Sequence, residues 1–377
     1  MQKALLMGCL VLGMGNAIAQ PTTQSMMDNG FTVLKSLPAT PVKNQAMTGT
    51  CWCFSTTSLV ESQCLKSNVG EMDISEMFIV RNIYIEKAKN YVLRQGHAQF
   101  SEGGLGHDLI RGIATYGAIP ESVYSGLKQG RKQFNHSFMA IALKKYLDSV
   151  VAATPISAGW LAGYIDILNE TMPEPPTEFT YNGKKHTPLS FAKDVLKFNA
   201  DDYVNITSFT HQPYYKPFIL QVPDNFSNGM YYNLPLTEMI QLAKDVLGNG
   251  YTLMWDADVS NNWFMQGKGL AMFPANRVKP DKVNSPDFEE DPWSATIRQE
   301  MYERLETQDD HLMHITGLTK TANGKTFFTV KNSWGNNVGP LQGYISVSEA
   351  YFAINTISLV VPKAAIGKAL LEKLKMQ

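Results

Sequence analysis

The apolar pattern of the chain changes period partway along, and that change limits the fold more than any other feature. The first part repeats at helical spacing. Cys51 to Lys66 is helix-compatible, with Thr50 placed as its N-cap. Ser75 to Tyr91 sets Met77, Val80, Tyr84, Ala88 and Tyr91 on one face. Leu105 to Tyr116 is a further helix that stops at Gly117. Beyond residue 200 the pattern becomes strand-like at Tyr203 to Phe209, Tyr251 to Asp258, His311 to Leu318, Thr326 to Lys331 and Thr356 to Val361. One helix, Leu236 to Leu247, sits among these strands and ends at Gly248. Helices first and strands later predict an α+β protein of two lobes, one helical and one antiparallel β, with a cleft between them.

The segments follow from that pattern. Residues 20–125 form the helical lobe, beginning with a polar and then extended stretch where Pro38 and Pro41 forbid a helix. Residues 126–200 read as a helical insert: a basic helix from Lys128 to Lys145, a Pro-rich loop from Thr171 to Thr187, and a helix started by Pro188 after Thr187. Residues 201–362 are the β-rich lobe, and 363–377 an amphipathic Lys/Leu tail.

The first 19 residues read as an address. Lys3 precedes an apolar run from Ala4 to Gly15, and Ala17-Ile18-Ala19 supplies the small-x-small pattern for cleavage after Ala19. The protein is therefore expected to be exported, periplasmic or secreted. Leu6-Met7-Gly8-Cys9 offers a lipid-anchor alternative, ranked second because so few residues separate Lys3 from Cys9. No later run is apolar enough to span a membrane. Lys and Arg number 33 against 34 Asp and Glu, which argues for no nucleic-acid partner. After cleavage Cys51, Cys53 and Cys64 remain. Three is odd, so one thiol is left unpaired in an oxidising compartment, where it is either used or buried. No CxxC pair or HExxH motif is present, so no metal or other cofactor is expected. Asp256-Ala257-Asp258 resembles the start of a calcium loop only faintly, since Asn261 stands where the loop needs Gly.

The chemistry concentrates at Gln45 to Ser55. A cysteine in the first turn of a helix meets the positive end of the helix dipole, which favours the attacking thiolate. The Cys51 N–H can donate to a developing oxyanion, and Gln45, if its loop folds back, supplies a second donor. A base and an orienter are then needed. Thr321-Ala322-Asn323-Gly324 is a turn between two strands. A hairpin about that four-residue loop sets Met313 opposite Asn332 and His311 opposite Trp334, so His311 and Asn332 fall within reach of each other. His314 is the competing base. Three positions from His311 on a strand, it faces the other side, and only one of the two can serve the cleft. Asp310 and the spacing to Gly317 favour His311.

These residues resemble those of papain-like cysteine peptidases. Gln45, Cys51 and Trp52 look like the oxyanion glutamine, the nucleophile and the tryptophan after it. Asp310-His311 with Gly317 resembles the region of the catalytic histidine. Asn332-Ser333-Trp334-Gly335 resembles the motif whose Asn orients that histidine and whose Trp shields the contact. Glu102-Gly103-Gly104 resembles the glycine pair that holds substrate in the unprimed subsites. Tyr116 to Pro120, Tyr231 to Leu236 and Trp255 to Val259 are similar to the bleomycin hydrolase or aminopeptidase C branch. The resemblance implies a Cys51–His311–Asn332 triad that hydrolyses peptide bonds through an acyl-enzyme. Gln45 would serve the oxyanion, and Gly103, Gly104, Trp334 and Asp310 would lie on the substrate side. The substrate would be a peptide or protein. Three departures bear on these expectations. The branch is usually cytosolic. Its C-terminal arm, which confines it to chain ends, has a Pro- and Trp-rich approach that Ile366 to Gln377 lacks, so amino- and endopeptidase action both stay open, as does its ring-like homo-oligomer. Cys53 after the nucleophile is unusual, and with Cys64 it reads as a packed thiol. A papain-like cleft kept only for binding or assembly, and acyl transfer by the same triad, are the alternatives.

Overall fold

The structure is a computed structural model that describes residues 21–376. The expected signal segment and Cys9 lie outside the described residues. The first half runs α1 (Thr23–Asp28), β1 (Thr32–Ser36), α2 (Cys51–Lys66), α3 (Glu76–Leu93), α4 (Gly106–Tyr116), α5 (Ser137–Ala152), α6 (Trp160–Asn169), a hairpin of β2 (Phe179–Tyr181) and β3 (Lys184–His186), and α7 (Pro188–Ser190). The second half runs β4 (Tyr203–Thr207), β5 (Pro217–Ile219), β6 (Met230–Asn233), α8 (Leu236–Gly248), β7 (Leu253–Ala257), β8 (Phe264–Met265) and β9 (Leu270–Ala271). It continues through α9 (Ala295–Glu303), β10 (His311–Lys320), β11 (Thr326–Lys331), β12 (Tyr344–Ser348), α10 (Glu349–Asn355), β13 (Thr356–Pro362) and α11 (Lys368–Lys373). The fold is α+β and papain-like.

Helix α2 is the axis of the molecule. All of it but Gln63, Leu65 and Lys66 is buried, so it has no solvent face to hold a polar stripe. Its small hydroxyl residues make this possible because each finds a local acceptor or a cross-lobe partner. Thr56 Oγ1 donates to the Trp52 carbonyl at 2.8 Å, and Ser62 Oγ to the Pro38 carbonyl at 3.0 Å. Helices α3 and α4 pack on one side of α2, and β10 on the other.

Residues 126–200 share the core of the helical lobe: Leu143, Leu147, Tyr164, Leu168 and Phe191 cluster with Ile79, Ile83 and Leu109. Within this segment three local expectations change. The basic helix runs Ser137–Ala152 rather than starting at Lys128, because the buried series Met139, Leu143, Leu147 and Val150 along its length fixes its register. Trp160–Asn169 adds a helix. The Pro-rich loop contains the β2–β3 hairpin, turned by Asn182 and Gly183 at φ 47° and 75°, the left-handed region that an Asn-Gly pair accepts. Thr187 caps α7 as its sequence predicts, accepting the Ser190 N–H at 3.2 Å. In the leading stretch, Thr22 caps the short α1 ahead of the prolines, accepting the Ser25 N–H at 3.0 Å.

The 11-stranded sheet runs β5–β6–β4–β13–β7–β10–β11–β12–β9–β8, with β1 also paired to β10. It is mostly antiparallel, but β4 with β6 and β12 with β9 are parallel, so the sheet is mixed rather than purely antiparallel. Strand β10 is its hub. Its first half pairs with β7, His311 opposite Ala257, and its second half with β1, Lys320 opposite Thr32. The β10–β11 hairpin holds two compensating departures from the expected register. Thr321 N–H bonds the Lys325 carbonyl at 3.0 Å, so the loop has three residues, ending in Gly324 at φ 84°. This slides the turn end by one position, to Lys320 opposite Thr326. A bulge between Ile315 and Gly317 then restores the expected register, with His314 opposite Lys331. The apolar face of the sheet packs on α8 and α10 through Trp255, Ile315, Val330 and Phe352. The C-terminal tail lies on this lobe: Leu374 is buried in its core and Lys373 Nζ reaches Glu238 at 3.2 Å.

Leu147→Ala removes a fully buried side chain from α5. It is expected to lower stability by about 2–5 kcal/mol. A denaturant melt should show this as a shift of the main helical-lobe transition. A separate early transition would show that residues 126–200 fold as an independent unit.

Candidate active site

The loop before α2 folds back on itself and onto the β lobe. Gln45 N–H donates to the Ser333 carbonyl at 2.8 Å, and its Oε1 accepts the Ser333 hydroxyl at 2.6 Å. Its Nε2 donates to the Thr48 carbonyl at 2.7 Å, which uses one of its two amide hydrogens. Ala46 takes φ 52° to make the turn. The segment after Gly126 braces this loop, because Met47 N–H bonds the Phe134 carbonyl at 3.2 Å and His136 N–H the Met47 carbonyl at 3.1 Å. Thr50 stands at the N-cap of α2, yet its hydroxyl does not cap: it shares a hydrogen bond with Thr48 Oγ1 at 2.6 Å. The helix start therefore keeps its outward N–H groups.

The hairpin brings His311 and Asn332 together. His311 Nε2 lies 2.7 Å from Asn332 Oδ1. The same oxygen accepts the Ser333 N–H at 2.7 Å, so it is an acceptor and His311 Nε2 carries the proton, leaving Nδ1 basic. Trp334 stacks on the imidazole at 4.7 Å between centroids, covering the contact. Asn332 Nδ2 donates to Gln266 Oε1 at 3.1 Å, and Gln266 Nε2 to the Tyr344 carbonyl at 3.2 Å. Gln266 thus fixes Asn332. Sequence reading did not single it out, since only the parallel pairing of β9 with β12 brings it there.

Cys51 is the first residue of α2 and is buried against Leu312, the residue after His311. Burial pushes its thiol up to about 12; the Leu312 N–H acts in the opposite direction, and Asp309, Asp256 and Asp224 add to the rise. This departs from the low value that the helix dipole alone suggests. Burial also pushes His311 down to about 4, against the raising effect of Asn332. Either charge alone is thus disfavoured. A proton passed from thiol to imidazole creates both charges at once, each the counter-ion of the other, at the helix N-terminus.

His314 is buried behind the cleft, with Nδ1 2.9 Å from Ser58 Oγ, and Ser58 also accepts from Lys331 Nζ at 2.7 Å. The two histidines are separated as alternation predicts. Asp310 is exposed and its Oδ2 accepts the Val259 N–H at 3.1 Å, while it is the charge of its neighbour Asp309 that acts on the Cys51 thiol. Gly103 and Gly104 lie beside α2. Trp52 Nε1 donates to the Glu102 carbonyl at 3.1 Å, and Glu102 accepts the Gly49 N–H at 2.8 Å. A Cβ on Gly104 would meet the Trp52 ring at 3.1 Å. Lys87 Nζ holds the Gly103 carbonyl, whereas among the described residues the Gly104 peptide groups have no partner. Cys53 and Cys64 are buried and free, Cys53 Sγ donating to the Glu76 carbonyl at 3.2 Å. No group of three or more His, Cys, Asp or Glu among the described residues is placed to hold a metal ion.

A two-lobed α+β fold with a cysteine at the start of its central helix and an Asn-held histidine on the facing sheet defines a papain-like cysteine peptidase. The sequence profile of the Peptidase C1-like family matches residues 164–377, and that of the papain family cysteine proteases residues 31–89. The chain belongs to the Peptidase C1-like family, in its bleomycin hydrolase and aminopeptidase C branch. It is 23% identical to aminopeptidase C of Listeria monocytogenes, over 96% of this chain and 88% of that one. It is 22% identical to bleomycin hydrolase of Mus musculus, over 89% and 83%. The crystal structure of PepW from Lactobacillus rhamnosis HN001 has the same fold, with a TM-score of 0.71 at 23% identity, covering 96% of this chain and 89% of that one.

The paired protonation has a readable consequence. Between about pH 4 and 12 the proton count of the Cys51–His311 pair stays constant, so its thiolate fraction does too. Iodoacetamide modification of Cys51, followed by peptide mass, is expected to be flat from pH 5 to pH 8. His311→Gln should leave a lone thiol whose rate rises about tenfold per pH unit. A wild-type rate with that same slope would refute the pairing.

Proposed function

We propose that this chain is an exported peptidase that cleaves peptide bonds with Cys51 as nucleophile and His311 as base and then acid. The observation that carries the reading is the Asn332 contact, which puts the proton on His311 Nε2 and leaves Nδ1 free to take another. Cys51 Sγ attacks the carbonyl carbon while its proton passes to Nδ1. The Cys51 N–H and the remaining Gln45 amide hydrogen stabilise the oxyanion. The imidazolium then protonates the leaving amine, and a thioester forms. Water, deprotonated by His311, attacks the thioester and returns the thiol. Gly104 supplies a free peptide edge to the substrate backbone, and Trp334 keeps water from the His311–Asn332 contact. The aminopeptidase names of the relatives support trimming from N-termini.

The test is peptide mass spectrometry of a mixed library under reducing conditions. Cys51→Ala and His311→Ala are each expected to abolish products with the fold retained. Asn332→Ala should lower kcat/KM by roughly 100-fold, through misplacement of the imidazole. His314→Asn should retain turnover and act on stability, since His314 serves the buried network behind the cleft. Activity lost in His314→Asn but kept in His311→Ala would overturn the assignment.

Export rests on Lys3, the run Ala4 to Gly15 and Ala17-Ile18-Ala19. N-terminal sequencing of the exported protein should begin at Gln20. A start at Met1 would contradict export, and a lipid on Cys9 would replace cleavage after Ala19 by a lipid-anchored form.

A further inference from the structure

The Asn332 side chain has two ends of nearly the same shape, one accepting and one donating. With Oδ1 forward it requires the proton on His311 Nε2. Turned over, it would offer an N–H instead and move that proton to Nδ1. What decides between the two orientations lies away from the reacting atoms.

The decision traces back to a group that does not turn. Tyr344 stands in β12 opposite Lys331 of β11, the residue before Asn332. Its carbonyl belongs to the sheet backbone and only accepts. Gln266 Nε2 donates to it at 3.2 Å, which leaves Oε1 at the other end of the Gln266 amide. That oxygen also only accepts, and Asn332 meets it with Nδ2 at 3.1 Å. Asn332 Oδ1 is then the end left for His311 Nε2, at 2.7 Å. The series carbonyl, amide, amide, imidazole therefore runs in one direction. Reversing either amide would set oxygen against oxygen or N–H against N–H. Gln266 is 8% exposed and Asn332 2%, so such a mismatch would be buried and costly.

The segment that carries Gln266 is itself held. Gln266 opens the turn after β8, which Gly269 closes by donating its N–H to the Gln266 carbonyl at 3.0 Å. Gly339 packs on that same carbonyl, where a Cβ would collide with it. Lys268 Nζ ties the turn to the Pro280 carbonyl at 2.6 Å and the Val283 carbonyl at 2.8 Å. Two residues before Gln266, Phe264 sets its ring edge-on to Trp334, 6.0 Å between centroids. One short segment thus supports both the residue that orients His311 and the ring that covers it. The Ser333 N–H favours the same Asn332 orientation, but it comes from the adjoining residue and moves with it. Gln266 fixes the amide against the sheet.

We propose that Gln266 is a positioning residue for the reaction: aimed by the Tyr344 carbonyl, its amide holds Asn332 with Oδ1 toward His311 and so keeps the imidazole in the form whose Nδ1 takes the Cys51 proton. The proposal rests on the Cys51–His311–Asn332 reading given above. Without Gln266, Asn332 is free to turn over, and the nitrogen that should take the thiol proton already carries one.

Two rates test this at about pH 5. One is hydrolysis of a peptide that the library shows to be cut. The other is alkylation of Cys51 by iodoacetamide, read by peptide mass, which needs no turnover. Gln266→Met keeps the side-chain length and removes both polar ends. It is expected to lower kcat and the alkylation rate by about tenfold each, the worth of one buried hydrogen bond, with KM changed by less than about twofold. In an Asn332→Ala background the same substitution should cost less than about twofold, because the residue it acts through is gone. Gln266→Glu is the restoring variant. Burial keeps its carboxyl protonated at this pH, so its hydroxyl donates to the Tyr344 carbonyl and its carbonyl accepts from Asn332. Both rates should then return to within about threefold of wild type, as a hydrogen bond regained requires. If Gln266→Met does not fold, Gln266→Asn, one methylene short of reaching both partners, carries the same comparison. Full rates in Gln266→Met, an equal cost in the Asn332→Ala background, or a Gln266→Glu protein as slow as Gln266→Met overturns the proposal. Alkylation that depends on Gln266 through Asn332, with no peptide cut, supports the positioning role and counts against the peptidase reading. Cys51-dependent cleavage at a rate indifferent to Gln266 does the reverse.

Discussion

A helix buried on both sides governs this molecule. Because α2 has almost no solvent face, both lobes must form around it, and its first residue is fixed where they meet. The cost of that burial falls on polar groups. Behind the cleft, Thr40 donates to Glu61, Lys43 reaches Glu76 at 2.8 Å, and Lys331 of β11 donates to Ser58 of α2. Burial pushes Lys331 down to about 8 and Glu76 up to about 8, each against its charged form, and the opposite charges in the seam act against that push. Buried polar contacts of this kind are costly to break from one side, which makes the seam between the lobes specific rather than merely sticky.

The cleft in front of that seam is electrostatically odd for a cysteine enzyme. Asp309, Asp256 and Asp224 all oppose a thiolate at Cys51. The His311 imidazolium formed by the proton transfer is the counter-charge that acts against them.

Much of the site was legible because it is local or set by counting. The Gln45 to Ser55 segment carries its own logic of helix start, thiol and donor. The hairpin could be paired from its turn, and His311 fell near Asn332 although the loop length was one residue off, since the bulge near Thr316 cancelled the slip. Other parts lacked a local signal. Gln266 reaches Asn332 only through a parallel strand contact distant in sequence. Asp224 sits on a loop with no periodicity of its own. Asp309 and Asp310 are adjacent like charges, and composition does not say which faces inward; alternation along the chain into β10 decides it. The start of α5 follows the buried series Met139, Leu143 and Leu147, not the basic charge that begins at Lys128. The Asn182-Gly183 turn was hidden by the prolines around it.

The bulge between Ile315 and Gly317 separates two mechanical tasks. On its far side the hairpin tip pairs with β1 and meets solvent at Asn323 and Gly324. On its near side the pairing with β7 and β11 holds the histidine and the asparagine in step. The bulge works as a slip joint: strain or a length change arriving from the tip is taken up there. The tip is thus open to drift over evolutionary time, as a surface for lineage-specific contacts, while the alignment of the two residues at the other end stays keyed to the rest of the sheet.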